Sequence, residues 1–273
     1  MDIYHRVTFG KYDNVDEQLK SIGVKFKKAE GLQGYYILTL EIYEPDPNWR
    51  EVNRLVQAHK ALDLYDTFFS DEDVLGAEWL RLTPTYEHGY PYPRNKWLDT
   101  FYNYEDHCRE CGTFRQKSSF FLQKEPSLRK NDFMCLIWTW TFFCRYQVFD
   151  QLAQYQVRGY EQWDAIIHST KQPSAQVAQL IVPQIAQPGL TGVEDLPRVE
   201  CSTCGITKYH PHLRGVMYLD RTAISRDTDL LQTYEWFGHG HHAHREVLVS
   251  QRLAKLALER KWKGIRFKVV ELV

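Results

Sequence analysis

The chain has 273 residues, 43% hydrophobic and 25% charged, with a formal net charge of −1 at pH 7. A charge so near neutral argues against constitutive binding to phosphate backbones. No stretch approaches the roughly 18 apolar residues of a membrane span, and the opening MDIYHRVTFGKYDNV lacks the basic and apolar regions of a secretory signal, so a cytoplasmic location with no membrane partner is expected.

Residues 15–22 read as a short helix ended by Gly23, and 34–43 (GYYILTLEIY) as a strand. Residues 48–64 have helical spacing through Trp49, Val52, Leu55, Val56 and Leu62. Ser70 reads as the N-cap of a helix that opens on Asp71, Glu72 and Asp73 and carries Val74, Leu75, Trp79 and Leu80. The turn-rich segment 83–94, TPTYEHGYPYPR, is the expected boundary between an N-terminal α/β region, 1–95, and a second region, 96–273, unless the two form one continuous domain.

The second region holds two copies of Cys-x-x-Cys-Gly, at Cys108–Cys111–Gly112 and Cys201–Cys204–Gly205. Each places two sulfurs on a tight turn, and the Gly permits the positive φ that aims backbone N–H groups at them. Four thiolates suit one closed tetrahedral zinc, the pattern of structural sites, because catalytic sites keep a position for water. Gly112 and Glu200 bound an intervening stretch far longer than the roughly 15–20 residues of a zinc ribbon, so the metal would clamp distant segments. Cys135 and Cys144, in an apolar run, read as buried inert thiols.

Both stretches continue alike. After the first turn come extended segments (SSFFLQ, FMCLIWTWTFF), a helix over 146–156, then Arg158-Gly159 and the strand-like YEQWDAII. After the second come GVMYLD, a helix over 242–261, then Lys263-Gly264 and IRFKVVELV. The expected fold is therefore α+β, with mixed sheets, flanking helices and two similar halves clamped by the four-cysteine site. Aromatic packing should carry much of its core, given 8 Trp, 17 Tyr and 14 Phe.

Two further clusters are candidate partner- or anion-binding sites. One is the run around Trp236, His239, His241, His242, His244 and Arg245, where imidazoles and a helix start would face an anion or partner. It lacks HExxH, and a second metal at His239, His241 and His244 would make a hydrolase. The other is Lys208, Tyr209, His210, His212 and Arg214, able to touch phosphates or to support the metal turn. No GxSxG, Walker A or strand-GxGxxG-helix pattern is present.

From about Trp79 onward, the GYPYP segment, HCRECG, FFLQKEP, the pair Trp138 and Trp140, VRGYE, ECSTCG with its KY, TYEWFG and the closing helix-KG-strand resemble the bacterial double-CxxCG motif proteins. That group includes immunity proteins paired with polymorphic or contact-dependent toxins. The resemblance implies zinc on Cys108, Cys111, Cys201 and Cys204, no catalytic residues, and a binding protein that neutralises a cognate toxin. Its rivals are a zinc-ribbon nucleic-acid-binding protein and a metal-dependent hydrolase. For a nuclease toxin, the acidic stretch 63–73 would serve as a phosphate mimic.

Overall fold

Alternation decides the first strand, because His5, Val7 and Phe9 face inward while Tyr4, Arg6 and Thr8 face outward. The computed structural model describes residues 1–10, 15–30, 36–98, 108–113, 116 and 118–273. They fall into two units, Met1–Ser70 with Leu213–Gly215, and Asp71–His212 with Val216–Val273. The first unit runs β1 (Asp2–Phe9), α1 (Asp16–Ile22), β2 (Lys27–Glu30), β3 (Tyr36–Tyr43), α2 (Trp49–His59) and β4 (Leu62–Phe68). Its sheet order is β2-β3-β1-β4 with every neighbour antiparallel, the ferredoxin-like split βαβ topology.

One face of that sheet packs Val7, Phe9, Leu38, Leu40 and Ile42 on Leu19, Val52 and Val56. The helical spacing read over 48–64 stops at His59, where Lys60 takes a left-handed φ of 49° and caps α2. Residues from Leu62 onward alternate and form β4 instead. Asp63, read as part of an acidic surface, lies 3.0 Å from His5 Nδ1. The buried imidazole also reaches Glu44 at 3.2 Å through Nε2, under the stacked ring of Trp49 at 3.9 Å. Burial pushes the Glu44 carboxyl up, but Arg214 at 2.7 Å and His5 outweigh it and hold the group below its ordinary value.

The second unit begins with α3 (Asp71–Gly76) and β5 (Trp79–Pro84). Trp79 and Leu80, expected in a helix, lie in β5, which is a central strand of this unit, so the division falls at Ser70 rather than at 95. There follow β6 (Phe121–Leu122), β7 (Phe133–Cys135), β8 (Phe142–Arg145), α4 (Tyr146–Gln154), β9 (Glu161–Ile167) and β10 (Pro173–Ile181). The chain continues through β11 (Leu190–Thr191), β12 (Arg198–Glu200), β13 (Thr207–Tyr209), β14 (Met217–Leu219), β15 (Leu230–Gln232) and β16 (Trp236–Phe237). It ends with β17 (Val247–Ser250), α5 (Gln251–Glu259) and β18 (Ile265–Leu272). Cys135 and Cys144 are buried, and burial pushes the Cys135 thiol up to about 12.

Two of its sheets are copies of one design. Their orders are β6-β9-β10-β8-β7 and β11-β14-β18-β5-β17-β15, and strands in corresponding places run in corresponding directions. The two repeats therefore share a strand, a cysteine turn, three strands, a helix and a last strand, to which the second adds β11, β12, β13 and β16. The first strands are exchanged: β10, which opens the second repeat, sits between β8 and β9 of the first, and β5 sits between β17 and β18 of the second. The registers agree, since Arg145 opposes Val177 and Phe143 opposes Gln179, while Ser250 opposes Trp79 and Leu248 opposes Arg81. Trp79 accordingly joins a core with Leu231, Leu248 and Val270, and Val177 one with Phe120, Phe143 and Met134. The two similar halves expected from sequence exist, but interlocked, and each begins earlier than its cysteine turn.

The basic-Gly pairs latch the halves reciprocally. The Arg158 N–H donates to Asp229 Oδ2 at 2.9 Å, and the Asp229 and Leu230 N–H groups donate to the Arg158 carbonyl. In the counterpart, the Lys263 N–H donates to Asp132 Oδ2 at 2.9 Å, and the Asp132 and Phe133 N–H groups donate to the Lys263 carbonyl. Gly159 and Gly264 have φ of 95° and 94°, and a Cβ there would lie 2.2 Å from the Leu230 oxygen and 2.1 Å from the Phe133 oxygen. Among the described residues no helix is long and apolar enough to cross a membrane. Gly264→Ala should destabilise the second unit by at least about 3 kcal/mol, from the positive φ and the clash together. Gly23→Ala, with φ 85° but nothing within 4 Å, should cost the first unit about 1 kcal/mol. Urea unfolding of both variants checks the difference.

Candidate metal centre

The two cysteine turns have the same backbone. The Gly112 N–H donates to the Cys108 carbonyl at 2.8 Å and the Cys108 N–H to the Thr113 carbonyl at 2.9 Å. The Gly205 N–H donates to the Cys201 carbonyl at 2.8 Å and the Cys201 N–H to the Ile206 carbonyl at 3.0 Å. Gly112 and Gly205 take φ of 75° and 70°, as the spacing required. The second turn joins β12 to β13 as a hairpin, and Lys208 of β13, 6% exposed, donates from Nζ to the Cys111 carbonyl of the first turn.

These turns bring all four Sγ atoms within 4.8 Å of one another. Cys108 and Cys201 sulfurs are 3.8 Å apart and Cys111 and Cys204 sulfurs 3.5 Å, so equivalent positions of the two repeats face each other. A tetrahedron with metal–sulfur bonds of about 2.3 Å has edges of about 3.8 Å, whereas a disulfide needs about 2.05 Å. The residues therefore fit a tetrahedral metal ion and not a pair of disulfides. The backbone N–H groups of Cys204 and Thr203 point at Cys201 and pull its thiol down to about 6, while burial and the neighbouring sulfurs push the Cys204 thiol up to about 12, so four charged sulfurs need a cation among them. Among the described residues this is the one group of three or more such side chains close enough to share a metal.

The His-rich run is no helix start. Residues 238–243 form a closed loop in which Phe237 and His244 exchange N–H···O bonds of 2.8 and 2.9 Å, with a 3-10 turn at Gly240–His242. β17 intervenes before α5, which Ser250 caps by accepting from the Leu253 N–H. Gly238, at φ 81°, fits because a Cβ would meet the His242 carbonyl oxygen at 2.6 Å. Trp236 and His244 are buried, so neither is an exposed contact residue. His239 and His242 are exposed, Arg245 lies over the Trp236 ring at 4.8 Å, and the His241 side chain lies outside the described residues.

Lys208 is likewise internal, while His210 packs edge-on against His239 at 4.4 Å. His212 points inward toward a buried charge cluster that sequence reading missed. Arg81 Nη1 pairs with Glu246 Oε1 at 3.2 Å, both nearly fully buried, with His244 Nε2 at 3.8 Å and the buried Lys268 opposite Arg81 in β18. Burial pushes the Glu246 carboxyl up, but Arg81, His244 and Lys268 overcome it and hold it at about 2. Burial, with Arg81 3.5 Å away, drives His212 down to about 4. The signal for this cluster was the lone Arg inside the apolar WLRLTP, legible only once that segment is a strand.

No protein-family model matches the chain, and no curated protein matches it. The wild-type chain should carry about one tetrahedral metal ion, and Cys204→Ser should lose most of it together with cooperative unfolding, since site assembly contributes folding free energy. Elemental analysis and urea melts measure both.

His212 gives a pH dependence of defined sign. Its folded pKa lies below the unfolded value, so the unfolded chain binds more protons between them. The stability contribution is complete above about pH 6.5 and disappears as pH falls to about 4, a span worth on the order of 3 kcal/mol. His212→Asn should flatten that part of the stability–pH profile.

Proposed function

We propose that the chain is a zinc-stabilised binding protein that neutralises a cognate protein toxin by direct contact, with no catalytic centre of its own. Zinc is supported by the closed donor set: four sulfurs fill a tetrahedron and leave no position for water or substrate. An iron ion in the same sulfurs is the alternative that visible absorption separates from colourless zinc.

The observation that carries the binding role is the outer face of the four-stranded sheet. Leu62 and Leu64 of β4 are 58% and 57% exposed, and Tyr43 and Phe68 are exposed beside them. Tyr4 bridges the last two with edge contacts of 5.4 and 5.9 Å, making one aromatic and aliphatic surface. Registers place Asp2, Glu41 and Asp66 on that face together with Arg6, which lies between Glu41 and Leu64, and Lys27, so the apolar residues stand among charges of both signs. Contiguous exposed apolar surface with a polar border is characteristic of protein–protein contact.

Co-expression with the product of the neighbouring gene in the native host tests this. The wild-type chain should protect growth and bind that product, while Leu62→Lys with Leu64→Lys should weaken binding at least about 30-fold and abolish protection, with circular dichroism unchanged. A harmless neighbour, or a double variant that protects fully, would refute the proposal.

A further inference from the structure

The second unit contains a cavity of about 980 Å³ walled by matching segments of both repeats, Trp138 to Phe142 before and within β8 and Ala243, His244, Arg245 and Val247 before and within β17. Thr113 and Ile206, which follow the two metal turns, also line it, and Thr113 Oγ1 lies 3.2 Å from Cys111 Sγ. The cavity therefore depends on the same junction that the metal holds.

Its walls are indole rings, each braced by another group. Trp163 donates from Nε1 to Glu161 at 2.9 Å, Trp140 stacks on His244 at 4.3 Å, Trp236 lies under Arg245, and Trp138 packs on Tyr90 at 4.5 Å. Trp138 is 39% exposed and holds a φ of 74°, a conformation a bulky side chain rarely adopts.

We infer that this cavity binds an uncharged heteroaromatic ring. Charge argues for neutrality: the lining carries Glu161 and Arg245, of opposite sign, and both are engaged, Glu161 by Trp163 and Arg245 by the Thr233 carbonyl at 2.8 Å. No net field remains to offset the desolvation of a charged ligand. Hydrogen bonding argues against a sugar. Gln179 accepts from the Phe120 N–H and donates to Gln116, which donates to the Ser118 carbonyl, so these two amides are held in place by internal partners and offer few free groups to a ring of hydroxyls. One wall residue holds a buried polar atom without a hydrogen-bond partner among the described residues, the donor Trp140 Nε1. His244 Nε2 faces Glu246 Oε1 at 3.8 Å and belongs to the buried charge cluster. A flat ring with a nitrogen acceptor satisfies Trp140 while stacking on the indoles.

The probe is 7-azaindole, which is uncharged and carries one N–H and one ring nitrogen, titrated calorimetrically into the full-length metal-loaded chain, with benzoate and cellobiose as comparisons. Saturable binding is expected for 7-azaindole and at least about tenfold weaker or no binding for the other two. Trp138→Ala and Trp163→Ala should each weaken it at least about fivefold, the loss of one stacking partner, with metal content and circular dichroism unchanged. Should either variant misfold, the other carries the comparison. No saturable heat at the solubility limit, equal binding of benzoate or cellobiose, or undiminished affinity in a folded variant would each overturn the inference.

Discussion

The pairing of β10 with β8 and β9, and of β5 with β17 and β18, is the constraint on which the second unit depends, because each repeat lacks the middle strand of its own sheet until the other supplies it. A sheet without its middle strand leaves two rows of backbone donors and acceptors unpaired, so neither half is a stable intermediate. The latches at Arg158-Gly159 and Lys263-Gly264 and the facing pairs Cys108–Cys201 and Cys111–Cys204 all join one repeat to the other. They add cross-links to an arrangement that pairing already requires.

The repeats have diverged where their equivalent positions meet charge. Opposing-strand registers make Gln179 the counterpart of Arg81 and Trp163 the counterpart of Lys268. The sheet around β10 thus holds a neutral amide and an indole beside the cavity, and the sheet around β5 holds two buried cations with Glu246. Replacing a buried ion pair by neutral groups often leaves stability unchanged, whereas removing one member strands the other, so such clusters persist once formed.

Much of this was legible in the sequence because it is local. The cysteine turns, the helix over α4, the β9 and β18 strands and the two basic-Gly pairs each follow from a few neighbouring residues. The order of those pieces disclosed the duplication. The exchange was not legible, since nothing within WLRLTP or PSAQVAQLI says which strands lie on either side. Trp79 and Leu80 were absorbed into a helix whose real end is Gly76, and the boundary moved to the prolines with them. The histidine run misled for a related reason: imidazoles signal chemistry, but the backbone pairing of Phe237 with His244 is what shapes that loop. Lys208 looked like a surface cation because nothing local announces the Cys111 carbonyl as its partner.

Exchange also fixes what the ribosome must wait for. β5 is made well before its partners β17 and β18, and at about 5–20 residues per second the interval is on the order of ten to forty seconds. Through that time a strand bearing Trp79, Leu80 and Leu82 has no mate in its own chain. Arg81 stands in the middle of it, and a charge in such a position discourages pairing with strangers. In the finished protein the same guanidinium is closed in against Glu246, the residue immediately before β17, so the charge that guards the waiting strand is neutralised by the segment it was waiting for.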